Sequence, residues 1–353
     1  MAGKGQHYLP RFLLKGFSSR TVNKESYVWV HRKGKISYES NIQRIAKESY
    51  FYGTKEDSDV DDKITKMETE SFSTLIDELR SKNKISESKS QLIGDFVAHL
   101  IFRSKHTREI TGQAAKLITD KAFEDLQNIA FLKKAIRQQR NQIIDDVKKD
   151  LKSRDIVNVE NAQLEPFLDL YIEWFISNDR NLSEFSTNIK QVSDIVRQKL
   201  PTMGKKSQLK SFSKPLDSSE RVRMYRNLHW SMITVEKAGA FILGDVGPIV
   251  IYGEDKEFNM ALANKNTHQT IFLPISDKQL IVGRTEENRT LPDIEAINIG
   301  MAELSYEFFI SSKNEQREIE YLRSIGKRNM DVVHDAIAGL TFDDYFDKQQ
   351  VSQ

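Results

Sequence analysis

Cysteine is missing altogether from the 353 residues. Its absence excludes disulfide bridges, thiolate zinc sites and a cysteine nucleophile. Net charge is nearly missing too: 53 Lys and Arg stand against 51 Asp and Glu, a formal +2. No global field therefore draws the chain to nucleic acid or a membrane, and any basic site has to be local. No apolar run approaches the roughly 20 residues of a membrane span. The start, Met1 to Gln6, has no apolar region of the secretory kind. These absences set the expectation of a cytoplasmic protein without a membrane partner. Nucleotide loops of the GxxxxGKS and GxGxxG kinds, the GxSxG elbow and the HExxH zinc motif do not occur either.

What is present is an abrupt change of pattern. From Trp230 to Gly283 the runs WSMITV, FILGDVGPIVIYG, TIFLPI and QLIVG are short, apolar and β-branched, separated by Gly, Pro, Asp and Asn. That is how consecutive strands with tight turns read. Most of the chain before them is helical in pattern. The exception is an N-terminal hairpin, Tyr27 to Tyr38, whose runs flank Arg32-Lys33-Gly34 with Gly at the position that needs a positive φ. The expected fold class is α+β: a large helical region with a small, mostly antiparallel sheet from the C-terminal part, which the hairpin joins or flanks. The expected divisions are an N-terminal helix and hairpin (1–58), a helical region (59–200), a flexible basic connection (201–219), a β-rich core (220–312) and a helical tail (313–353). His7 to Phe17 reads as a short helix with Pro10 in its first turn.

Polar residues inside apolar segments are the first candidates for chemistry. Between Leu92 and Ile110, Ile93, Phe96, Val97, Leu100 and Ile101 repeat at helical spacing, and Arg103 stands at the edge of that face with His99 and His106. Such a guanidinium must meet a carboxylate or a phosphate. Asp245 follows Phe241-Ile242-Leu243 and precedes Gly247-Pro248, where a buried strand stops and turns. Glu254-Asp255-Lys256, with Asp245 upstream, has the outline of a metal-dependent nuclease motif, although a charged turn has the same outline. Lys205, Lys206, Lys210 and Lys214, in a Lys-, Ser- and Pro-containing stretch, are the candidates for a mobile loop contacting nucleic-acid phosphates.

The order of blocks then carries a resemblance. His7-Tyr8-Leu9-Pro10…Phe17, Tyr27-Val28-Trp29-Val30…Gly34-Lys35, Ile45 to Tyr52, Glu68, Phe96…Arg103, Trp230, Phe241-Ile242…Asp245…Pro248, Leu273 to Ser276 and Asn298 resemble the microbial family catalogued as domain of unknown function 4238. Here Val246-Gly247 separates Asp245 from Pro248, where the family usually has one polar residue. The resemblance implies membership and selects His7, Glu68, Arg103, Asp245 and Asn298 as a polar group gathered in one pocket. The first functional expectation is a metal-dependent nuclease or toxin-like effector in phage defence. Asp245 and Glu68 would hold Mg or Mn, His7 would act as general acid or base, Arg103 would stabilise phosphate charge, and Asn298 would complete the site. The alternatives are a non-enzymatic nucleic-acid or protein-binding module, and a pocket for a nucleotide or NAD-derived ligand. The oligomeric state is not legible.

Overall fold

The computed structural model describes residues 5–52, 59–154, 161–213, 220–253, 257–261, 269–285 and 291–328. The chain is α+β and divides into two compact units, Met1–Thr111 with Gly204–Asp335, and Gly112–Met203 with Ala336–Gln353.

The first unit holds all the described strands. They are β1 (Gly5–His7), β2 (Arg20–Val22), β3 (Glu25–Arg32), β4 (Tyr38–Asn41), β5 (Lys47–Ser49), β6 (His229–Thr234), β7 (Leu243–Gly244), β8 (Ile249–Tyr252), β9 (Asn259–Met260), β10 (Gln269–Ser276), β11 (Gln279–Arg284) and β12 (Phe308–Ser311). The C-terminal runs build one five-stranded antiparallel sheet in the order β6-β11-β10-β8-β9. Strand β10 is buried along its whole length, the mark of a central strand covered on both faces. The N-terminal hairpin does not extend that sheet. It forms a second one, β2-β3-β12-β7 with β4 also on β3, completed from the far end of the chain by Phe308–Ser311. The apolar residues of β3 explain this: Val28 and Val30 are buried and need a cover, which a two-stranded hairpin cannot supply alone.

Helix α1 (Arg11–Leu14) is shorter than the sequence suggests, because Pro10 stands outside it as the N-cap residue and His7 ends β1. Then come α2 (Asp59–Met67), a π turn at Glu68–Phe72, α3 (Ser73–Lys82) and α4 (Ser90–Arg103). Helix α4 is apolar nearly all round and is buried as such a helix must be. Phe96 packs on Phe72 and Phe12, ring centres 5.3 and 5.8 Å away. The pattern Leu92–Ile110 breaks at Ser104, after which α5 (Lys105–Gln127) begins. Arg80 ties α1, α3 and β10 together by donating to the carbonyls of Phe12 (2.8 Å), Leu13 (3.0 Å) and Ile275 (2.9 Å).

The second unit contains α6 (Ile129–Gln138), α7 (Arg140–Ser153), α8 (Asn161–Ser177) and part of α9 (Asp179–Ser213), and α6, α8 and α9 supply a small core of Leu132, Ile176 and Leu182. Helix α9 corrects the expected flexible connection at 201–219, since the chain stays helical as far as Ser213. Met203, Lys205, Lys206, Gln208, Leu209 and Lys210 are good helix formers, and together they outweigh Pro201 and Gly204. In the first unit again, α10 (Glu220–Arg226), α11 (Ile294–Leu304) and α12 (Gln316–Leu322) follow. Among the described residues no helix is long and apolar enough to cross a membrane.

Candidate functional site

Three of the five polar residues selected from the sequence meet. Arg103, 2% exposed, ends α4 and points at the turn between β5 and α2. Its Nε donates to the Tyr52 hydroxyl at 2.7 Å. One Nη reaches both the Glu68 carboxylate and His99 Nε2, and the other donates to the main-chain carbonyl of His7. A guanidinium has five N–H groups, so nearly all of its hydrogen-bonding capacity is spent inside the protein. This is an internal clamp: of the two partners the sequence leaves open, a carboxylate or a phosphate, the guanidinium meets the carboxylate. Because Arg103 always donates, His99 Nε2 must accept, which leaves the His99 proton on Nδ1. Burial drives the His99 pKa down to about 3, so the ring is neutral at pH 7. Tyr52 adds a second hydrogen bond to the His7 carbonyl at 3.0 Å.

Glu68 opens the π turn between α2 and α3. A π turn carries one more residue per hydrogen-bonded loop than an α-turn and is frequent at functional sites. Here Glu68 reaches Arg103 while Thr65, Thr69 and Ser73 border the same cavity. The His7 ring also borders it, with Nε2 buried and without a hydrogen-bond partner. Burial lowers the His7 pKa to about 4, and the cations Arg11, Arg103 and Lys47 push the same way against a hydrogen bond to the Ile42 main chain. The cavity encloses about 640 Å³, within the size range of small-molecule sites.

Asp245 and Asn298 are elsewhere, and neither lines this cavity. Asp245 is buried, and its two oxygens accept the main-chain N–H groups of Tyr306 (2.7 Å), Glu307 (2.7 Å) and Phe308 (3.2 Å). It shapes the approach to β12. Burial pushes its pKa up to about 7, opposed by those same three N–H groups. Asn298, fully buried on α11, donates to the Ala240 carbonyl at 2.7 Å and accepts from Ile242 N–H at 3.2 Å. Both residues satisfy main chain, which accounts for a polar group in an apolar segment as fully as a ligand would. The carboxylates of Asp245 and Glu68 thus serve separate places. Among the described residues no group of three or more His, Asp and Glu side chains is placed to hold a metal ion.

Lys205, Lys206 and Lys210 fall on the α9 backbone, with side chains outside the described set. Lys214 and Glu254-Asp255-Lys256 lie outside the described residues.

The residues the sequence reading missed are cations. Arg11, Lys15 and Lys24 line the cavity, and among the described residues none has an ion-pair partner. Arg11 and Lys15 are four apart across α1 and its 3-10 extension, a spacing that brings side chains to one side. Lys24 is the second residue of the two-residue turn Asn23-Lys24 between β2 and β3. Both residues have positive φ, 48° and 67°, where hairpins of this type favour Asn followed by Gly. A lysine in that place is strained backbone at the edge of a cavity.

The fold and cavity define an α+β protein with a polar cavity assembled from its N-terminal segment and three helices. The chain belongs to the family described as "Protein of unknown function (DUF4238)", whose model matches residues 5–315. No curated protein and no solved structure matches it.

Proposed function

We propose that the chain binds a nucleotide-sized, phosphate-bearing small molecule in the cavity between β1, α1, the π turn and the β2–β3 turn. One observation carries this reading: the cavity's carboxylates are already engaged, whereas three of its four cations are not. Glu68 is paired with Arg103, Asp61 is hydrogen-bonded by Gln6, and Glu25 accepts from Asn41 at 2.8 Å. Arg11, Lys15 and Lys24 have no ion-pair partner among the described residues. The charge left to a ligand is positive, and oxyanions are its natural complement. Isothermal titration of the full chain with AMP, ADP-ribose and inorganic phosphate tests the reading. Binding that weakens with salt and is lost in the Arg11→Ala, Lys15→Ala double variant supports it. Wild-type affinity in that variant would rule it out.

A second reading adds phosphodiester cleavage, the activity a nuclease in phage defence would need. It is favoured by the His7 ring on the cavity wall, whose buried Nε2 has no hydrogen-bond partner and is free to take a proton, although a pKa lowered to about 4 makes it a weak base. It does not rely on a metal held between Asp245 and Glu68. Nuclease assays with magnesium, manganese or chelator, on wild type and His7→Gln, decide it.

A further inference from the structure

The cavity is two-sided, and its second side has a different chemistry from the cations. Along the π turn and its flanks, Thr65, Glu68, Thr69 and Ser73 recur at spacings that keep them on one face. The Thr69 hydroxyl gives its proton to the Thr65 carbonyl at 2.8 Å, and the Ser73 hydroxyl gives its proton to the Thr69 carbonyl at 3.3 Å. Both oxygens therefore keep lone pairs for an incoming donor. Glu68 uses Oε1 for Arg103. Asp61 stands one helical turn before Thr65, with burial raising its pKa. This wall accepts hydrogen bonds, whereas the lip formed by Arg11, Lys15 and Lys24 donates them. A ligand filling both halves carries oxyanions at one end and several O–H donors at the other. The Tyr52 hydroxyl is committed to Arg103 and the His7 carbonyl, so it adds no free donor to this wall.

We propose that the ligand is a polyol phosphate, its phosphate on the cationic lip and its hydroxyls on the Asp61–Ser73 wall. This rests on the phosphate-binding reading above. The polyol can be the ribose of a nucleotide or a free sugar phosphate, and the test separates them. The full chain is titrated calorimetrically with inorganic phosphate, ribose 5-phosphate and AMP. At least one of the two esters is expected to bind about tenfold or more tighter than inorganic phosphate, the worth of one or two added hydrogen bonds. A preference for ribose 5-phosphate over AMP identifies a free sugar phosphate, and the reverse identifies a nucleotide.

Thr69→Val keeps the shape of the residue, and Asp61→Asn keeps an acceptor for Gln6. Each should remove most of the preference for the ester while leaving inorganic phosphate binding unchanged, with melting curves checking the fold. Equal affinity for phosphate and both esters, or an ester preference untouched by both substitutions, overturns the proposal while the phosphate reading stands. Failure of the Arg11→Ala, Lys15→Ala variant to weaken inorganic phosphate overturns both.

Discussion

Arg103 donates from its buried guanidinium to the main-chain carbonyl of His7, 96 positions earlier in the chain. The same guanidinium pairs with Glu68 and donates to the Tyr52 hydroxyl. One side chain thereby joins three of the segments around the cavity: β1, Tyr52 just after β5, and the π turn. Arg103→Met leaves the Glu68 carboxylate and two main-chain or hydroxyl acceptors without their donor. A loss of about 3–5 kcal/mol is expected on removing one member of a buried pair. Urea denaturation measures it. A loss below 1 kcal/mol would mean that the clamp does not organise this wall.

Asp245→Asn tests the opposite kind of site. Asparagine keeps one carbonyl oxygen for the N–H groups of Tyr306 to Phe308 but brings an NH2 group that faces the same donors. The cost should be on the order of 2–3 kcal/mol, since hydrogen bonds to a charged acceptor are the strong ones. Calorimetric affinity for phosphate should not change, because Asp245 does not line the cavity. Loss of affinity in a variant that melts normally would return Asp245 to the ligand site.

Much of the framework is legible in the sequence for local reasons. The hairpin turn is written by Gly34, which has φ +70°, and the strand runs between Trp230 and Gly283 follow from their β-branched, turn-separated pattern. The polar group is legible only in part. His7, Glu68, Arg103, Asp245 and Asn298 show the same signal, a polar residue among apolar neighbours, but only the first three come together. Asp245 and Asn298 are satisfied by main chain from β12 and from residues 240–242, and a sequence does not say which backbone a side chain will meet. The cavity's cations escape for the contrary reason. Arg11, Lys15 and Lys24 are exposed charges, indistinguishable by composition from any solvated surface until the fold gathers them.

Acid should unfold this protein through its histidines. His99 and His106 are fully buried, with pKa values near 3. Each is depressed from an unfolded value of about 6.5, so the folded state binds fewer protons as pH falls. Their contribution is fully present above pH 6.5 and is lost progressively below it, by about 2 kcal/mol for each ring at pH 5. Asp245, with its pKa raised, has the opposite sign: its ionisation costs stability as pH rises from about 4 toward 7. A single substitution isolates the histidine part. Both nitrogens of His106 are buried and unpartnered beside Tyr306, so His106→Leu should flatten the loss between pH 7 and pH 5 by about 2 kcal/mol. An unchanged slope would refute the assignment.

Gly94 has no room for a side chain. A Cβ there would lie 2.6 Å from Arg226 N and 2.7 Å from the Tyr225 carbonyl carbon, both main-chain atoms that cannot swing away. Gly94→Ala should force α4 and α10 apart and cost roughly 1–3 kcal/mol, as overpacking does. Gly112, with nothing within 4 Å of the same position on α5, is the control: Ala should stabilise there by about 0.5–1 kcal/mol through helix propensity. Equal effects at the two positions would contradict the close packing at Gly94.

Lys24 separates stability from binding most cleanly. The second position of its turn, with φ +67°, costs a residue with a Cβ about 1 kcal/mol relative to glycine. Lys24→Gly should therefore raise the melting temperature slightly, by a few degrees at most. The same change removes one of the three cations from the cavity lip, so affinity for inorganic phosphate should fall, with a shallower dependence on salt. A residue kept only for the turn would show the first effect without the second. The paired measurement is a melting curve and a calorimetric titration at two ionic strengths. If Lys24→Gly is more stable and binds phosphate as wild type does, the lysine has no part in the site and the lip reduces to Arg11 and Lys15.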